Sequence, residues 1–153
     1  MAVSHDTSSI TEVLNDLIQT CIDGQKGFQT AAEAIDDPSL KAELQGYSDQ
    51  RGEFAADLQN LVAAVGEAPR DSGSVTGALH RGWLNLRDAV SSRDTYAILA
   101  ECERGEDSAV AEYRKATQAD LPPEFTRVID NQYAVVMSTH DRVKALRDSQ
   151  QRS

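Results

Sequence analysis

Apolar residues recur along this chain in alternating steps of three and four, in four long stretches. At about 100° per residue, that spacing keeps side chains on one face of an α-helix. The first stretch reads Leu14, Leu17, Cys21, Gly24, Phe28, Ala31, Ile35. The second reads Leu40, Leu44, Tyr47, Arg51, Phe54, Leu58, Leu61, Val65. The third runs Leu99, Cys102, Glu106, Ala109, Tyr113, Ala116, and the fourth Phe125, Ile129, Gln132, Val136, Thr139, Val143, Leu146. Repeats this regular are the seams of a helical bundle. They predict long helices near 10–36, 39–65, 93–119 and 122–148. A shorter apolar set, Leu79, Trp83, Leu86 and Val90 beside Ala78 and Gly82, predicts a fifth helix near 74–90.

Punctuation between the stretches agrees. Ser9 and Glu12 have capping-box spacing, Asp37-Pro38 reads as an N-cap followed by proline at the first helical position, and Gly66 and Pro69 end the second helix. Ser91-Ser92-Arg93-Asp94 supplies another cap, and Asp120-Leu121-Pro122-Pro123 makes a tight break. The short breaks impose two antiparallel hairpins. The longer connector carries the chain back along the bundle, so the second and third long helices run parallel. Residues 1–9 read as a flexible tail, and 10–149 as one domain.

Two charged residues sit on the apolar seams. Arg51 and Glu106 occupy positions where a hydrophobe is expected, each near the middle of its helix. A charge there needs a counter-charge, a hydrogen-bond partner or a proton. Folding about the hairpins brings Gln25, Gln50 and Arg51 to one level, and Glu106 level with Gln132. These five residues form an expected core polar cluster. Arg51 and Glu106 read as a buried ion pair holding their helices in register; Gln25 and Gln132 are either amides satisfied by that pair or polar groups at a helix edge.

The all-α pattern of two hairpins and a crossover resembles the ferritin-like four-helix bundle. LNDLIQTCIDGQKGF at 14–28, DSGSVTGALHRGW at 71–83, ECERGEDSAVAEYRKA at 101–116, LPPEF at 121–125 and QYAVVMSTHDRVKALRD at 132–148 resemble a family of small bacterial ferritin-like proteins of unassigned function. That resemblance implies a fold and almost no mechanism. Two-metal ferritin-like sites take one Glu from each of two helices and a Glu-x-x-His pair from each of the other two. No Glu-x-x-His occurs in this sequence. The available substitutes are Glu53, Glu103, Glu106 and His140, an unusual set for iron or manganese, which favour several carboxylates or imidazoles. His140 beside the last seam also reads as a half-exposed histidine between helices, and Glu101, Glu103 and Asp107 as solvated charge. His80 and Trp83, one turn apart, are the expected anchor of the crossover.

Charge and composition narrow the partners. The 153 residues carry 25 acidic and 15 basic side chains, a net charge of −10, which argues against nucleic acid or an anionic membrane as a partner. No apolar run is long enough to span a bilayer, and MAVSHDTSSI lacks the pattern of a secretory signal. Cys21 and Cys102 fall on apolar faces, which suits reduced core thiols and a cytoplasmic setting. There is no glycine-rich phosphate loop, CxxC pair or nucleophile elbow. Two functions fit. One is a non-catalytic bundle without a cofactor, expected as a homodimer and acting as a stress-related or interaction protein with a degenerate metal site. The other is a metal-binding ferritin-like oxidase or iron handler.

Overall fold

A computed structural model describes residues 7–68 and 82–151. Among these residues five helices follow one another: α1 (Thr7–Ala34), α2 (Pro38–Ala64), α3 (Leu86–Ser92), α4 (Thr95–Thr117) and α5 (Pro123–Gln151). Among the described residues there is no strand, and no helix is long and apolar enough to cross a membrane. Asp37 caps α2, its side chain accepting from the Ser39 and Leu40 amides, with Pro38 opening the helix. Asp94 caps α4 through the Tyr96 amide. The Ser9 capping box does not form, because α1 already begins at Thr7, two residues upstream.

Side-chain contacts fix the helix directions. Ser48 Oγ donates to the Gln25 carbonyl and Lys41 Nζ to the Ala32 carbonyl, so α1 and α2 are antiparallel. Tyr113 meets Gln132 while His140 meets Asp107, so α4 and α5 are antiparallel too. Cys21 against Tyr113 joins α1 to α4, and Arg142 against Glu43 joins α5 to α2. α1 and α4 therefore each pack on both members of a pair of neighbours, and α2 faces α4 across the interior.

That interior is two apolar cores, not one. Leu14, Leu17, Ile18, Leu58, Val62, Tyr113, Ile129 and Val136 belong to the first. Phe28, Ile35, Leu44, Trp83, Leu86, Leu99, Cys102 and Val143 belong to the second. Between them lies a polar layer with buried Ser48, Arg51, Glu106 and Thr139.

The connector differs from the helix expected over 74–90. In its described part, residues 82–85 form a turn and a helix begins at Leu86; residues 69–81 lie outside the described residues, His80 with them. The cause is Gly82, whose φ of +87° suits glycine and not a helix. A Cβ on Gly82 would also sit 2.7 Å from the Arg104 carbonyl oxygen. This turn drives Trp83 between α1 and α4, where it is 2% exposed. Its indole fills a slot opened by two helical glycines: a Cβ would lie 2.3 Å from the ring at Gly27 and 2.1 Å at Gly105. Phe28 meets it edge-on at 5.2 Å. Trp83 is thus packed between α1 and α4, and it is delivered there by a turn.

Candidate functional site

The polar layer is built around one fork. Arg51 Nη1 donates to Glu106 Oε1 and Nη2 to Oε2, both at 2.6 Å. The side chains are 1% and 0% exposed. α2 and α4 lie across the interior from each other, so the pair spans the bundle. Gly24 on α1 makes room: a Cβ there would lie 3.3 Å from Arg51 Nη1. The Phe28 ring lies under the guanidinium, 5.6 Å from Cζ, a cation–π distance. Burial works against the Arg51 charge, but the Glu106 carboxylate outweighs it and holds the Arg51 pKa above its ordinary value. Arg51 Nε is buried with no hydrogen-bond partner among the described residues.

A second set of buried groups lies one step toward α5. Tyr113 donates its hydroxyl to Gln132 Oε1 at 2.6 Å, and Gln132 Nε2 reaches the Phe54 carbonyl at 3.4 Å. With that proton committed, the Cys21 thiol is left to donate to the Tyr113 oxygen, 3.0 Å away. Burial pushes the Cys21 pKa up to about 11 and the Cys102 pKa higher still. Both cysteines are free; protonated and buried, they are inert packing groups.

The five residues of the expected polar cluster divide. Arg51, Glu106 and Gln132 are buried. Gln25 and Gln50 are only half-buried. Gln25 lies over Gly52 beside a shallow groove that Glu53 also lines, and Gln50 Oε1 accepts weakly from Thr139 at 3.4 Å. Tyr113 and Cys21 take part instead. Tyr113 sits on the apolar line of α4, where its ring reads as core and its hydroxyl goes unnoticed.

The four substitute ligands for a metal are not brought together. Glu106 is held by Arg51, and Glu53 is exposed on α2. Glu103 and His140 do approach each other, on the outer face of α4 and α5, with Asp107 as their third member. His140 Nε2 lies 2.6 Å from Asp107, and Glu103 lies 2.5 Å from Arg147 Nη1. A two-ion iron or manganese centre does not fit the interior. Two carboxylates are buried among the described residues: both oxygens of Glu106 already accept from a guanidinium, and Asp23 accepts from the Gln19 amide on its own helix.

The chain matches one family along α1 to α4. It belongs to the family described as Domain of unknown function (DUF2383), whose model matches residues 9–119. Arg51, Glu106, Trp83 and its two glycines lie inside that span, whereas Gln132 and His140 lie beyond it. No curated protein matches the chain. The family description carries no activity, so function must be argued from the residues.

Proposed function

We propose that this member of DUF2383 is a ferritin-like four-helix bundle without catalytic chemistry, which works by presenting its helical faces to a protein partner, a second copy of the chain included. The observation that carries this reading is the buried Arg51–Glu106 fork. In a two-metal bundle the interior carboxylates exist to neutralise cations. Here one carboxylate is neutralised by the chain's own guanidinium, in the slot between the two apolar cores. The helix directions agree with a ferritin-like connection. Among the other buried polar groups, the Tyr113 phenol, the Gln132 amide and the protonated Cys21 thiol satisfy one another, Ser48 donates to the Gln25 carbonyl, and Gln19 donates to Asp23. None is poised as a nucleophile or base.

Metal analysis tests the reading. Protein purified without chelator, then exposed to ferrous iron or manganese and desalted, is expected to retain neither through Glu106. Two equivalents of iron or manganese, lost in Glu106→Leu, would contradict it and support a ferritin-like oxidase or iron handler.

A further inference from the structure

Among the described residues outside the interior, Glu103, Asp107 and His140 form a group of potential ligands. Glu103 and Asp107 are one turn apart on α4, and His140 comes from α5. One ligand atom from each lies within 4.8 Å of the others. A tetrahedral zinc holds its ligand atoms about 3.4 Å apart, and small rotations of partly exposed side chains cover the difference. His140 Nδ1 lies 3.2 Å from Asp141 Oδ1, and Nε2 lies 2.6 Å from Asp107 Oδ1. A carboxylate on one ring nitrogen leaves the other to face a metal, the usual outer support of a zinc-bound histidine.

Glu103 supplies a second observation. Its Oε1 is shut off from solvent yet has no aligned hydrogen bond, although Arg147 Nη1 is 2.5 Å away. Besides this ion pair with Glu103, Arg147 directs Nε and Nη2 at Asp148, at 3.2 and 2.8 Å. It can therefore stay with Asp148 when another cation takes Glu103. In these contacts Glu103, Asp107, Asp141 and Asp148 surround a single guanidinium and a single imidazole.

We propose that Glu103, Asp107 and His140 bind one divalent transition ion of zinc type on the outer face of the α4–α5 hairpin. The ion replaces the proton shared by His140 Nε2 and Asp107, and water completes its coordination. Imidazole among the ligands selects zinc-type ions over magnesium. The site is separate from the ion pair inside and would tie α4 to α5 from without.

Zinc titration of metal-free full-length protein against a chromophoric chelator tests this, with magnesium as the comparison. One equivalent is expected, with at least about tenfold weaker binding in His140→Ala and in Asp107→Asn. Glu53→Gln should leave the affinity unchanged, and circular dichroism should show each variant folded. An affinity indifferent to His140, or matched by magnesium, overturns the inference. Iron or manganese held through Glu106 would count against the proposed function instead, so the two ideas fail separately.

Discussion

Two Arg–Glu forks join helices among the described residues, and they differ mainly in their surroundings. Arg51 and Glu106 meet through two 2.6 Å bonds with side chains 1% and 0% exposed. Arg142 and Glu43 meet through bonds of 2.8 and 3.2 Å with side chains 54% and 26% exposed. The outer fork can trade its bonds for water at little cost, so such pairs contribute little. Inside, neither partner can exist alone. Desolvating a charge costs several kcal/mol on the order of magnitude that only its counter-charge offsets. The inner fork therefore acts through specificity: it fixes which residue of α2 faces which residue of α4 across the bundle. It also fills the layer that separates the two apolar cores.

The comparison can be broken most directly from the inside. Arg51→Met leaves Glu106 buried without its cation, and should lower unfolding stability by about 3–5 kcal/mol, read by urea denaturation. A loss below about 1 kcal/mol, the scale of an exposed pair, would erase the distinction between the two forks. On the outside, Glu43→Gln should cost only about 0.2–1 kcal/mol at neutral pH.

A pH series sharpens the outer half. The hydrogen bond from Arg142, with a smaller one from Tyr47, holds the Glu43 carboxyl below its usual range against the opposing effect of burial. A depressed folded-state pKa gives stability that is complete above the unfolded value, about 4.3 for Glu, and that disappears as pH falls through the folded value. The gap between wild type and Glu43→Gln should thus be full at pH 6 and close in acid below about pH 4. A gap that widens in acid would reverse the assignment.

Much of this arrangement is legible in the sequence, for identifiable reasons. The four long helices follow from regular three-and-four spacing, and Arg51 and Glu106 stand out as the opposite charges placed centrally on it. Their contact, direct or through Gln25 or Gln132, follows from matched levels in parallel helices, and the structure makes it direct. The connector is another matter. Leu79, Trp83, Leu86 and Val90 have helical spacing, but Gly82 at positive φ turns the chain and helix starts only at Leu86. Spacing alone cannot show that a glycine adopts a left-handed conformation. Gly105 was equally silent, because the slot it opens exists only once Trp83 arrives from a distant segment. Asp107 reads as solvated charge on its own helix, and only the packing of α5 sets His140 beside it.

The central claim is that Arg51 and Glu106 are energetically one unit. A double-mutant cycle with Arg51→Met and Glu106→Leu, followed by urea unfolding, measures this most directly. The account predicts strong non-additivity: each single variant is far less stable than wild type, while the double variant recovers much of the loss, because both buried charges are gone. Strict additivity of the two substitutions would contradict it.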